Sequence, residues 1–175
     1  MRCILIKDGK GPASNLYLGE EATPQPKAGE AQVKIKAFGL NRMDILQREG
    51  KYPLPPKASK TILGVEFSGI VSALGEGSSL KEGDEVFGLA YGGAYAEYIV
   101  LDEKMVLPKP KELSWVQAAA LPECAHPRWS VRGWHCGDPA GSPGRRCRQG
   151  IHDVRNGRES QISAKAGSRG QIACH

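Results

Sequence analysis

Hydrophobic and polar residues alternate with a period of two in six short runs, at residues 2–7, 32–37, 65–74, 85–89, 94–101 and 105–107. The runs are rich in β-branched and aromatic residues, and this alternation predicts strands with one face turned inward. Between them stand Gly9-Lys10-Gly11-Pro12, Lys27-Ala28-Gly29-Glu30, Gly75-Glu76-Gly77-Ser78-Ser79, Gly92-Gly93 and Pro108-Lys109-Pro110. Gly supplies positive φ and Pro a fixed φ, so these stretches read as turns. Many short strands joined by Gly/Pro turns predict a mainly β domain, a small barrel or sandwich.

Two helix starts interrupt the alternation. Asn41 followed three residues on by Asp44 predicts a capped short helix running through Gln47 and Arg48 and closed by Gly50. Ser114 and Gln117 repeat the capping pattern ahead of Ala118-Ala119-Ala120-Leu121. The second helix is cut short: after Leu121-Pro122 the pattern dissolves into Cys124-Ala125-His126-Pro127-Arg128.

Composition changes at the same place. Residues 1–123 contain fourteen Leu and no His, whereas residues 124–175 contain no Leu, Phe or Tyr but all four His and four of the five Cys. The last 52 residues carry nine Lys and Arg against three Asp and Glu, a charge of +6, which leaves −1 for the first 123 within the total of +5. The organised segment has enough apolar residues for one core, and the tail has too few to offset the entropy of ordering. The expectation is therefore a folded domain over 1–123 and a disordered tail over 124–175. No run approaches the roughly 20 apolar residues of a membrane helix. The first six residues are also too short an apolar stretch for a signal peptide, so the expected location is cytoplasmic, with Cys3 reduced and buried in a strand.

Six segments in order carry a resemblance to a known family. They are Gly39-Leu40-Asn41-Arg42-Met43-Asp44, Gln47-Arg48-Glu49-Gly50-Lys51-Tyr52-Pro53, Leu63-Gly64-Val65-Glu66-Phe67-Ser68-Gly69, Gly83-Asp84-Glu85-Val86-Phe87, Gly93-Ala94-Tyr95-Ala96-Glu97-Tyr98 and Ala118-Ala119-Ala120-Leu121-Pro122-Glu123. Together they resemble the GroES-like domain of the medium-chain dehydrogenase/reductase superfamily, in its zinc-independent quinone oxidoreductase branch. The resemblance implies a partly open GroES-like barrel with short helices. It also implies hydride transfer from NADPH to a quinone or an enone, and a parent protein that is a possible homo-oligomer.

Zinc-dependent relatives place Cys at the position of Asn41 and His at that of Val65. An amide and an isopropyl group supply neither thiolate nor imidazole, so no metal is expected. The resemblance points to Asn41 and Tyr52 as catalytic groups lining the cleft, with Asn41 and Arg42 toward the nicotinamide. Each has a plainer reading: Asn41 as a helix cap, Tyr52 as an aromatic packed on the barrel, Arg42 as an ion-pair partner of Asp44. Asp44 itself reads as structural, in a first helical turn that favours a carboxylate. Glu66, between Val65 and Phe67, is either turned outward or functional.

The resembling family continues into a Rossmann domain whose Gly-rich turn holds the dinucleotide pyrophosphate. No such unit stands in residues 124–175, where Gly133, Gly137, Gly141 and Gly144 are set among Arg, Pro and Cys. NADP(H) is thus the parent family's cofactor, and none is expected to bind this chain. Zinc binding by the tail's Cys and His lacks paired spacing, and its Arg residues give only the non-specific attraction of any basic segment, so no nucleic-acid partner is expected. Back-translated and read one base forward, the tail permits VLIHAGASGVGIAAIQLAR and then FTTSGTDEKVKFLQKLGA, a strand, Gly-rich turn and helix followed by a further strand and helix. This predicts a frame-shifted tail and a chain inactive alone. The alternative is a non-catalytic interaction module that binds full-length reductase through the orphan barrel face.

Overall fold

The computed structural model describes residues 1–56, 58–125, 147–153, 158–166 and 172–174 of the 175-residue chain. Strand β1 (Arg2–Ile6) pairs antiparallel with β2 (Leu16–Glu20) in a small sheet of its own. The larger sheet is built around β3 (Glu30–Leu40), which pairs along one edge with β4 (Glu66–Leu74) and along the other, at Glu30–Lys34, with β6 (Tyr98–Asp102). Next to β4 lies β5 (Glu85–Leu89), followed by β7 (Val106–Pro108), all antiparallel. Register shifts in β3 between Gln32 and Val33 and between Ile35 and Ala37 bend it. The sheet does not close on itself among the described residues, which gives the partly open, mainly β GroES-like architecture expected.

Alternation fills the interior. Val33, Ile35, Phe38, Phe67, Val71, Val86, Ile99 and Val106 are buried in one cluster with Cys3 and Ile6 from β1. Burying each large apolar side chain is worth about 1.5–3 kcal/mol before entropy is counted. Isolated bridges from Cys3 to Ala96 and from Leu5 to Ile62 join the small sheet to the barrel.

Helix α1 (Arg42–Arg48) leaves β3 directly and ends at Gly50, whose φ of +71° suits glycine. Helix α2 (Trp115–Ala119) is only five residues long and carries the expected Ser114–Gln117 capping box. It is tied to the barrel at two points. The buried Ser68 hydroxyl donates to the Trp115 carbonyl at 2.6 Å. The Lys109 ammonium lies 4.9 Å from the centre of the Trp115 ring, pairs with Glu85 at 3.0 Å and donates to the Leu113 carbonyl at 2.9 Å. A single turn, α3 (Pro122–Ala125), follows. No described helix is long and apolar enough to cross a membrane.

Two features depart from the sequence reading. Strand β2 carries no inward-facing periodicity, because its residues are exposed or half-buried throughout. Residues 94–97, expected to start a strand, form a loop that follows Gly92 and Gly93 at φ of +90° and +97°. That loop is held by Tyr95 N–H donating to Leu63 O at 2.9 Å and by Tyr95 O accepting from Ile4 N–H at 2.8 Å. The described part of the tail contains β8 (Cys147–Asp153), β9 (Arg158–Ala166) and β10 (Ile172–Cys174). Residues Gly150–Asp153 pair with Ala37–Leu40, where β3 offers backbone groups beyond the end of β6, and backbone pairing of this kind needs no side-chain pattern. The other tail residues, apart from Cys124 and Ala125 in α3, lie outside those described.

Candidate functional site

The site is built where β3 turns into α1 and β4 begins. The register that pairs Phe38 with Phe67 sets Gly39 beside Glu66. A Cβ at Gly39 would fall on the Glu66 carboxyl, so glycine here is the space into which an inward-turned glutamate fits. Glu66 is fully buried, at 0% exposure. Its Oε1 accepts from Asn41 Nδ2 at 2.8 Å, and its Oε2 accepts from the Glu123 backbone N–H at 3.0 Å. Of the two readings left open for Glu66, the outward one is thereby removed.

A second carboxyl lies alongside. Asp44, 3% exposed, accepts from the Asn41 N–H at 2.8 Å, the Gly64 N–H at 3.2 Å and the Tyr95 hydroxyl at 2.9 Å. It thereby fastens the start of α1 to the turn before β4 and to the 94–97 loop. Gly64 has φ +92°, and a Cβ there would run into the Tyr95 ring, which itself packs on Phe38 with ring centres 4.7 Å apart. This agrees with the structural role read for Asp44 from its place in the first helical turn.

Burial dominates the electrostatics. Loss of solvent pushes the Glu66 carboxyl up to about 8, outweighing the hydrogen bonds from Asn41 and Glu123 that pull it down, while the Glu123 and Asp44 charges push it further up. The same cause raises Asp44 above its ordinary range against the pull of its three donors. Tyr95 is raised by burial and then by the Asp44 charge, and Glu123 likewise by burial and then by Asp44. At neutral pH Glu66 is mostly uncharged, which removes much of the cost of placing it in the interior.

Tyr52 is half-buried in a narrow cleft whose other walls include Met43, Leu54, Val65, Tyr91 and Glu123. Asn41 is not among the residues lining it; Glu123, which does line it, reaches Asn41 through Glu66. Arg42 is exposed, and Asp44 is turned inward onto its three donors, so the pairing read as one alternative for Arg42 does not form. Asn41 occupies the N-cap position with extended backbone (φ −114°, ψ 152°), but its amide nitrogen is directed to Glu66. Tyr95 and Glu123 were present in the motifs without a role assigned to them. Their partners lie 51 and 57 residues away, a distance that no local pattern reports.

A dinucleotide needs open N–H groups at a helix start for its pyrophosphate. The first turn of α1 carries the Asp44 carboxylate, that of α2 is closed by Ser114 Oγ accepting from Gln117 N–H at 3.2 Å, and that of α3 is taken by Glu66. Among the described residues, each of these helix starts thus has one N–H group already engaged. Among the described residues no group of three His, Cys, Asp or Glu is placed to hold a metal ion.

Comparison with known proteins gives the fold a family. Residues 27–111 match the alcohol dehydrogenase GroES-like domain. The chain is 37% identical over 123 residues to the synaptic vesicle membrane protein VAT-1 homolog-like of Mus musculus, covering 70% of this chain and 29% of that protein. It is 32% identical over 123 residues to the quinone oxidoreductase of Lama guanicoe, covering 69% and 37%. The solved structure of Escherichia coli quinone oxidoreductase complexed with NADPH superposes with a TM-score of 0.62 at 33% identity, covering 69% of this chain and 37% of that one. The chain thus spans about a third of the length of these relatives. Through residues 1–123 it belongs to the medium-chain dehydrogenase/reductase family, of which it carries the alcohol dehydrogenase GroES-like domain.

Proposed function

We propose that residues 1–123 are the substrate-side domain of a zinc-independent, NADPH-dependent reductase of quinones or enones in the cytoplasm. The observation that supports this is the environment of position 41. An amide stands there, held by a buried carboxyl, with the isopropyl group of Val65 on the cleft wall, and neither residue is a thiolate or imidazole donor. In this reading Tyr52 and Asn41 position the acceptor oxygen and the nicotinamide. The dinucleotide's phosphates would be bound by a Rossmann domain of the kind that the frame-shifted reading of residues 124–175 spells out.

The 175-residue chain should accordingly bind no NADPH and oxidise none with benzoquinones or naphthoquinones. The missing phosphate site would both hold the cofactor and orient its nicotinamide. Restoring the shifted frame and the interrupted helix after Glu123 should give a reductase with saturable NADPH-dependent turnover. Saturable turnover by the 175-residue chain itself would reject the inactive reading. Stop codons in the shifted frame, or the absence from it of a Gly-rich turn, would reject the account of the tail.

A further inference from the structure

Glu66 is the buried group that the proposed reaction leaves without a task, and its surroundings point to one. Its two oxygens are divided between different parts of the chain: Oε1 takes the Asn41 amide at the start of α1, and Oε2 takes the backbone N–H of Glu123 in α3. Those donors lie 25 and 57 residues from it in sequence. Gly39 on β3 leaves the room in which the carboxyl sits. Helix α2, which precedes α3, is fixed to the barrel through Ser68 and Lys109, so the chain reaches Glu123 from an anchored start.

We propose that Glu66 is a positioning residue that couples the orientation of the Asn41 amide to the docking of the Pro122–Ala125 turn. The assignment of what Asn41 is positioned for rests on the reductase reading; the coupling itself does not. One carboxyl with two donors transmits a change on either side. Loss of the Glu123 contact removes one of the carboxyl's holds and shifts the Asn41 amide bonded to it, and loss of Asn41 alters the proton affinity that the Glu123 N–H senses. Among the described residues, the ionisable groups facing Glu66 are Asp44 from α1, Tyr95 from the 94–97 loop and Glu123 from α3.

The test is made on the whole 175-residue chain by NMR and amide hydrogen exchange, with no cofactor or quinone present. In the unsubstituted chain, the Asn41 side-chain amide and the Glu123 backbone amide should titrate with one shared midpoint. Asn41→Ala should move the Glu123 midpoint upward, because the lost hydrogen bond favours the charged carboxylate. Glu66→Gln puts an NH₂ where one acceptor stood, and Glu123 exchange should quicken about tenfold while Val33 and Val71 keep their protection. Separate midpoints, an unmoved midpoint in Asn41→Ala, or unchanged Glu123 exchange in a folded Glu66→Gln protein would each overturn the coupling. Should Glu66→Gln not fold, the titrations of the unsubstituted and Asn41→Ala chains decide alone. A failed turnover assay after frame restoration bears on the reductase reading and leaves these outcomes untouched.

Discussion

Asp44 and Glu66 are buried within one site, both are raised by loss of solvent, and they are held in different ways. Asp44 takes two backbone N–H groups and a stacked tyrosine hydroxyl, donors whose positions are set by a helix start, a left-handed glycine and a ring packed on Phe38. Glu66 takes one side-chain amide and one N–H from a short turn. The first fastens a helix start to a turn and a loop; the second joins a side-chain amide at the start of α1 to the backbone of the α3 turn. Burial and charge alone would place both in one class, and the identity of the donors separates them.

The largest effect expected from this contrast is at Asp44. Asp44→Ala leaves three buried donors unsatisfied and should cost roughly 3 kcal/mol or more in chemical denaturation, with loss of protection at Gly64. A loss below about 1 kcal/mol would mean that water replaces the carboxyl and that the fastening is not one.

Gly39→Ala comes next. The added methyl meets the Glu66 carboxyl, and overpacking of this kind costs about 1–3 kcal/mol. It should also perturb the Asn41 side-chain amide signals, because the glutamate has to move. An unperturbed Asn41 would break the proposed connection at its first link.

The pH dependence of stability sharpens the comparison further. A carboxyl raised in the folded state holds its proton more tightly there than in the unfolded chain, so its contribution is greatest below the unfolded value and declines as pH rises to the folded one. For Glu66 that window runs from 4.5 to about 8. Melting temperature should therefore fall across it, and Glu66→Gln should flatten the decline, leaving the part due to Asp44 and Glu123, which has the same sign. A melting temperature that rises across the window in the unsubstituted chain would show that Glu66 is charged throughout.

The smallest effect belongs to the exposed pair. Arg2 bridges Glu97 at 2.6 Å on the surface, and Arg2→Ala keeps the backbone N–H of residue 2 that also donates to Glu97 at 2.9 Å. Thermal unfolding of that variant should be hardly distinguishable from the unsubstituted chain at moderate salt.

The sequence made the barrel legible wherever one strand face met the core and the other met water. The runs at 2–7, 85–89 and 105–107 became β1, β5 and β7 with little change, and both capped helix starts stand where their capping residues put them. Legibility failed where that asymmetry fails. Strand β2 is open to solvent or half-open on both faces, so it shows no preference. At the start of β4, residues Glu66–Gly69 are all buried, so alternation could not say which way Glu66 points. Its direction is decided by an absent side chain at Gly39 and by donors at residues 41 and 123, which are facts of assembly. Of the site residues chosen from the resemblance, Tyr52 lines a cleft and Asn41 adjoins it through Glu66, whereas Arg42 stands exposed.

The gap at Gly39 also constrains the order in which this site can change over generations. With glutamate at 66, position 39 admits no larger residue, and with glycine kept at 39, shortening Glu66 opens a hole beside two buried donors. Either substitution alone passes through a less stable protein, and only the two together reach a new packing. Positions 39 and 66 are therefore expected to vary as one heritable unit, with Gly39→Ala better tolerated when a smaller hydrogen-bonding residue has already replaced Glu66.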